Sequence, residues 1–599
     1  MMRENIRSLE RGFLTGADRF GPWYAACLSV GLAVSLMGCS AEPPRQELTA
    51  EETELSAPPS TAPYLTDVNE DDPSLEMRLG ERDGQQSVGG APVSKPDFNP
   101  ELPYQKSAPM LGGAAKRDAT ELVAENNADK DASPVGGPED YTTWTKPNLT
   151  LVVTGQQHGY IEPCGCTGLD RQKGGVARRY TFMQQLRDKG WELLPVDAGN
   201  LVRRFGRQAE VKLQQSVKAL KAMGYDAVAF GPDDVRLGVG ELLAVAAGES
   251  PDDTPYVSAN VVLIDPSLVP QSKIVEKGGL RVGITSILDS KSLEGEKSDD
   301  IGIEPEVESA KKALAELDAK SSDFKVLMYF GKEDDAKEFV REVPGFDLII
   351  VAGGYGEPTY RAEPIEGSQT KMVVTGNKGM YAGLVGLYEE EPMKYARVAL
   401  THEYKDAPEM RQLMREYQDQ LRDIGLNGLG LLPPIPHSSG NKFVGTETCG
   451  KCHKTAFEIW EGTPHAHATD SIVSPPEDRG DVARHFDPEC ISCHVTGWNP
   501  QEYYPYTSGY LSLEQTGHLT GNGCENCHGP GAEHSAAEEE GSTVSEEERN
   551  ALRNAMKLPL EKAREKCMTC HDLDNSPDFH EPDAFEDIYW PEVEHYGLD

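Results

Sequence analysis

From residue 149 onward, short apolar runs alternate with longer segments whose apolar residues recur every three or four positions. The runs 150–154, 192–197, 226–230, 281–288, 324–330, 346–352, 371–375, 384–388 and 396–402 predict β-strands. The segments 175–189, 209–223, 305–319 and 336–343 predict helices, and 410–424 predicts a further, charged one. Strand and helix alternate, which predicts a layered α/β domain. The pattern fails on both sides. Residues 41–140 sustain neither periodicity and carry 21 acidic against 8 basic side chains. Such a segment cannot bury enough apolar surface to offset the entropy of ordering, so it reads as a disordered acidic tether. Residues 425–441 are rich in Gly and Pro and read as a linker. Beyond them, little aliphatic content predicts short helices and long loops.

The start of the chain is different again. Arg3, Arg7 and Arg11 precede an apolar run from Trp23 to Met37, which closes on Leu36-Met37-Gly38-Cys39. This stretch resembles the lipobox of bacterial lipoproteins. The resemblance implies cleavage before Cys39, lipid on its sulfur and amine and, with Ser40 rather than Asp next, sorting to the outer membrane. An ordinary signal peptide and an uncleaved anchor are the alternatives. No second apolar run reaches spanning length. The expected organisation is a lipoprotein signal peptide over 1–38, the disordered tether over 39–143 and an α/β domain over 144–405. A helix and linker follow over 406–441, and a mostly helical and irregular domain over 442–599. The expected location is the bacterial cell envelope, facing the periplasm from the outer membrane.

Charge narrows the partners. A formal net charge of −41 in 599 residues repels phosphate and argues against nucleic acid. It favours a cationic partner, or simply solubility.

Eight of the twelve cysteines fall in four C-x-x-C-H motifs. These are Cys449, Cys452 and His453; Cys490, Cys493 and His494; Cys524, Cys527 and His528; and Cys567, Cys570 and His571. Two thiols so spaced can add across the vinyl groups of one haem, and the following imidazole can take its iron. Structural zinc is the rival reading, but zinc does not require His directly after each Cys pair. Four covalent haems c are expected, and they would themselves form the core of this region. Export agrees, because haem c is attached outside the cytoplasm.

The first motif leads to Trp460, Thr463, His465 and Ala468, and the third reads Gly-Cys-Glu-Asn-Cys-His-Gly-Pro-Gly-Ala-Glu-His over 523–534. Over about 442–589 the chain resembles the tetrahaem cytochromes c that carry electrons in nitrifying bacteria. The resemblance implies His465 and His534 as sixth ligands of haem iron. His485 and His580 are the next candidates, then His467 and His518, with His595 also available. Histidines thus suffice for four sixth ligands. An iron without one could bind a small molecule such as nitric oxide, nitrite or hydroxylamine.

The α/β part carries its own motifs. Thr-Gly-Gln-Gln-His-Gly over 154–159, Asp-Ala-Gly-Asn over 197–200 and Gly-Pro-Asp-Asp over 231–234 resemble the calcineurin-like metallophosphoesterases, 5′-nucleotidase branch, over about 149–405. That family would hold two metals that activate water. At its ligand positions this chain has Gln156 for Asp, Asn200 for the bridging Asp and Gly231-Pro232-Asp233-Asp234 for Gly-Asn-His-Glu. It has Tyr329 for a lone His and Gly353-Gly354-Tyr355-Gly356 for Gly-His-x-His. Only His158 keeps its residue. Neutral Gln and Asn cannot balance two divalent cations, so phosphoesterase activity is not expected, although Asp233 and Asp234 could bind some metal. Cys164 and Cys166 follow His158 closely. They allow a strained local disulfide, a soft-metal site with His158, or a redox-active thiol pair. Arg171, Lys173, Arg178, Arg179, Arg203, Arg204 and Arg207 gather nearby. They could hold a small oxyanion or pair with the chain's own carboxylates.

Two functions remain open. The first is an exported, lipid-anchored tetrahaem c-type cytochrome that transfers electrons between periplasmic redox proteins. The alternative is a multihaem oxidoreductase acting on a small nitrogen or sulfur compound, at an open haem or at the Cys164/Cys166 loop.

Overall fold

The computed structural model describes residues 139–595 apart from 164–171, 205, 247–253, 294–296, 355–356, 477–479 and 574. The expected signal peptide, Cys39, most of the tether, Arg171 and the Cys164/Cys166 pair lie outside the described residues. The last residues assigned to the tether are ordered: Tyr141–Thr143 forms a 3-10 turn capped by Asp140. Tyr141 meets Phe182 and Trp191 edge-on, and Trp144 stacks on Trp191, which anchors the chain ahead of the first strand.

Thirteen strands are described in the α/β body. They are β1 (Leu149–Thr154), β2 (Leu193–Asp197), β3 (Ala227–Val228), β4 (Val261–Leu263), β5 (Lys273–Lys277), β6 (Leu280–Leu288) and β7 (Ile301–Ile303). They continue as β8 (Phe324–Phe330), β9 (Leu348–Ala352), β10 (Glu363–Pro364), β11 (Lys371–Val374), β12 (Tyr381–Leu387) and β13 (Lys394–Ala399). One sheet has the order β13-β12-β1-β2-β3 and the other β10-β11-β9-β8-β6-β5, with β4 and β7 forming a separate ribbon. β1, β2 and β3 run parallel, as do β6, β8, β9 and β11. The helices are α1 (Val176–Asp188), α2 (Arg207–Met223), α3 (Val239–Ala246), α4 (Glu306–Ala319), α5 (Glu333–Glu342) and α6 (Pro408–Gly428).

Strand alternation divides the core. Val326, Met328 and Phe330 of β8 and Leu348, Ile350 and Ala352 of β9 join the first sheet in one large core. Their neighbours Leu327, Tyr329, Ile349 and Val351 face the other way, onto Ala310, Ala313 and Leu317 of α4 and Ala336, Phe339 and Val340 of α5. These strands read as unbroken apolar runs because both faces are covered. β3 is shorter than its apolar run predicts: Val228 pairs with the 255–257 segment on its other side, and only the Ala229 N–H, donating to the Asp197 carbonyl, carries the contact with β2 further.

α6 does not act as a spacer. Met410, Met414, Tyr417 and Leu421 share one face at helical spacing and lie in the large core, so the segment after 405 completes the body. Contacts join the body and the C-terminal region into one compact unit. The C-terminal region contributes only small apolar clusters of its own, around Phe443, Trp498 and Tyr510 and around Phe579 and Phe585. No helix among the described residues is long and apolar enough to cross a membrane.

Candidate functional site

Short helices carry the four motifs. Thr446–Gly450 opens the first, Pro488–His494 and Cys524–His528 hold the second and third, and Leu560–Cys567 runs into the fourth. Helical spacing explains the pattern: thiols at i and i+3 and an imidazole at i+4 share one face. The backbone of the first and fourth motifs closes this turn, with His453 and His571 N–H groups donating to the Cys449 and Cys567 carbonyls at 2.9 Å. All eight thiols are free of disulfides. Among the described residues, no three His, Cys, Asp or Glu side chains converge as a zinc site requires.

The imidazoles supply the geometry. Two imidazoles sharing one metal, at the roughly 2 Å metal–nitrogen distance usual for this ligand, place their ring centres about 6 Å apart. His453 and His534 stand 6.3 Å apart, His465 and His571 6.1 Å, and His528 and His595 5.8 Å. Three motif imidazoles also have their Nδ1 engaged, which leaves Nε2 as the nitrogen for a metal. Nδ1 of His494 donates to the Ala468 carbonyl at 2.6 Å, that of His528 to the Met556 carbonyl at 2.7 Å, and that of His571 meets Ser576 Oγ at 3.0 Å. Burial, with His465 and His580 alongside, pushes the pKa of His571 down to about 4, which keeps the imidazole in its neutral, metal-binding form. A cleft of about 90 Å³ joins His465 to Cys567, Cys570 and His571, lined by Phe443, Trp498 and Tyr506. These residues fit a covalently held, axially ligated haem.

Three sequence candidates are placed otherwise. His580 does not face a motif imidazole at that spacing; its Nε2 donates to the His571 carbonyl at 2.7 Å. His485 packs against Phe486, with ring centres 4.0 Å apart. His467 is exposed and lies 3.6 Å from Asp470. His595, last among the available histidines, stands opposite His528. Among the described residues no second imidazole faces His494 at that spacing. Glu525 of the third motif also has a role no spacing rule signals. It is buried and accepts from the backbone N–H groups of Val444, Gly445 and Gly531, at 2.7–3.0 Å in its nearest contacts. It thereby ties the start of the region to the Gly-Pro-Gly turn.

In the body, the loops that would hold two metals are bound to each other. Gln156, His158 and Asn200 all adopt left-handed backbone, with φ of 50°, 54° and 61°. Asn200 exchanges two hydrogen bonds with Asp233, both 2.9 Å. Asp234 accepts from the N–H groups of Gly231, Asn200 and Val202. Both carboxylates thus tie loops together rather than aim at a metal. Tyr329, at the lone-His position, lies 5.2 Å from Phe339 in the outer core. Most of the cations are engaged too. Arg178 meets the Gln172 carbonyl and Asp406, Arg179 is buried against Tyr225 and Gln157, Lys173 reaches Tyr381, and Arg207 pairs with Glu210 and Glu241.

The two regions meet at the second motif. Lys212 binds Glu489 at 2.7 Å, and Gln208 and Tyr417 bind Asp487 at 2.8 and 3.0 Å, directly ahead of Cys490. Arg484 binds Glu162 at 2.6 Å, and Arg411 and Arg415 bind Asp481 at 2.7 and 2.8 Å. Burial opposes charge on Lys212, but Glu489 and Asp487 outweigh it and hold the ammonium above its ordinary range.

Comparison with known proteins follows this division. The family model for cytochrome c554 and c-prime matches residues 448–529. Cytochrome c-554 of Nitrosomonas europaea is 33% identical over 97 residues, which cover 15% of this chain and 39% of that protein. A snake venom 5′-nucleotidase of Gloydius brevicauda is 31% identical over 148 residues, covering 23% of this chain and 24% of that protein. The chain therefore spans well under half the length of either curated relative. The 5′-nucleotidase precursor from Thermus thermophilus superposes with a TM-score of 0.39 at 22% identity, over 48% of this chain and 60% of that one. The C-terminal region thus contains a stretch similar to cytochrome c554, a family resemblance that implies covalent haem c, and the body resembles 5′-nucleotidases.

Proposed function

We propose that this protein is an exported, lipid-anchored tetrahaem cytochrome c that passes electrons between periplasmic redox partners. The observation that carries the reading is the set of three imidazole pairs at 5.8–6.3 Å, each built on a C-x-x-C-H histidine. In this reading each motif binds one haem through its two thiols. His453, His494, His528 and His571 are the proximal ligands, and His534, His595 and His465 stand opposite the first, third and fourth. Haem c supplies reversible one-electron chemistry when bound. The chain's own residues orient the imidazoles through Nδ1 and set the spacing of the attachment sites. Cys449 touches Cys524, Cys527 lies in the field of Cys567 and Cys570, and Cys570 touches Cys493. The attachment sites therefore run in the order first, third, fourth, second, and the second is docked on the body. That order supports a relay.

His494 favours a second reading, in which an open position at the second motif admits a small nitrogen or sulfur compound. The Cys164/Cys166 loop, outside the described residues, is the other seat for such an oxidoreductase. EPR of the oxidised holoprotein, with a haem count per chain, tests both readings. We expect four haems, three low-spin and one high-spin, with carbon monoxide binding to one haem after reduction. A lower haem count would sink the tetrahaem reading, and four low-spin signals without carbon monoxide binding would remove the open position. His595→Ala should convert one further low-spin signal to high-spin. An unchanged spectrum would remove His595 from the ligand set.

A further inference from the structure

The cleft between the phosphoesterase-like loops has changed the sign of its charge. A small cavity of about 40 Å³ lies where the β1 and β2 loops and the start of α2 meet the C-terminal region. Its lining includes His158, Arg203, Arg204, Gln208, Lys212 and Glu489. Arg203, Arg204 and Lys212 line it together with Glu489, while Asp487 stands in the field of Lys212, in a chain of net charge −41. Lys212 and Glu489, at 2.7 Å, compensate each other. Arg204 is ion-paired with Glu489 through Nε at 3.8 Å, which is beyond hydrogen-bond reach, so this carboxylate shares its charge without accepting its N–H donors. The guanidinium plane is held in place, 3.8 Å from the centre of the Tyr503 ring. A pre-oriented guanidinium over a positively lined pocket is the arrangement that recognises planar or tetrahedral oxyanions. Gln156 and Asn200 add no negative charge to oppose it.

The pocket also has a particular neighbour. Glu489 precedes Cys490, and Tyr503 lies in the field of both Arg204 and Cys493. The cavity therefore opens beside the second motif, whose His494 faces no second imidazole among the described residues.

We propose that this cleft binds one small inorganic oxyanion, with Arg204 as the principal binding residue, beside the second haem attachment site. Binding itself requires only the cleft. Its purpose, delivery of a nitrogen or sulfur oxyanion to the second motif, rests on the open-position reading above.

The test is calorimetric titration of inorganic phosphate into the full-length holoprotein at low ionic strength, where screening is weak. One saturable site per chain is expected. Arg204→Gln should weaken it about tenfold or more, the loss of one charge-assisted contact. Arg341→Gln, far from the cleft with its guanidinium on the Glu366 carbonyl, should not. Absence of saturable binding, or equal effects of the two substitutions, overturns the site. Nitrite, followed by the visible spectrum, tests the purpose separately. Phosphate binding with no spectral response to nitrite keeps the anion site and removes the open position. A nitrite response without phosphate binding overturns the anion site and keeps the open position.

Discussion

At the scale of single residues, Asp234 shows how a carboxylate at a ligand position can become a structural tie. It is fully buried and accepts three backbone N–H groups at 2.8–3.2 Å. Burial nevertheless pushes its pKa up from the usual 3.8 to about 7, against those hydrogen bonds. The folded chain then holds this proton more tightly than the unfolded chain. The resulting stabilisation is complete below the unfolded value and is lost as pH rises through about 7. Denaturant unfolding of wild type and Asp234→Asn, compared from about pH 8 to about pH 5, should show wild type gaining on the variant as pH falls through this range. A constant difference would contradict the assignment. The sequence marks Asp234 as a residue at a metal-ligand position but not the direction it faces, because its three donors come from two loops more than thirty residues apart.

Among elements, α6 and the Pro488–His494 helix show the same limit. The sequence of 410–424 predicts a charged helix ahead of a linker, and the structure shows that Met410, Met414, Tyr417 and Leu421 give it a buried face. It does not predict that the Tyr417 hydroxyl leaves the body to donate to Asp487, while accepting from Gln208. Asp487 also caps the helix that carries the second motif, through the Glu489 N–H. Tyr417→Phe should therefore cost about 1–3 kcal/mol, since it strips a buried carboxylate of one donor. Denaturant unfolding gives the stability, and EPR of the second-motif haem gives a local readout. We expect its signal to broaden or shift while the other three stay fixed. Full stability in the variant would show that the ion pairs alone hold the two regions together.

For the whole molecule, the two regions are built on different principles. The body closes over two large apolar cores, whereas the C-terminal region has only small apolar clusters among its described residues. Without haem, that region buries too little apolar surface to offset its chain entropy. Protein produced without haem attachment should therefore be cut by trypsin at many sites beyond residue 442 and resist within the body. Protection of the C-terminal region in such protein would show that its core is not haem.

The sequence by itself determined what depends on local spacing. Nine of the thirteen strands described in the body, and its helices other than α3, follow from unbroken apolar runs and helical periodicity, whereas β4, β5, β7, β10 and α3 carry no such pattern. The haem attachment motifs follow from thiols and imidazole on one helical turn. Only the tertiary structure decided which distant groups meet. His595 came from the far end of the chain to face His528, His465 crossed from the first motif's loop to the fourth motif's His571, and the Lys212–Glu489 pair fixed the body to the second motif. No periodic pattern encodes such meetings. They are set by how packed elements bring remote segments together, and the chain records only that the residues are present.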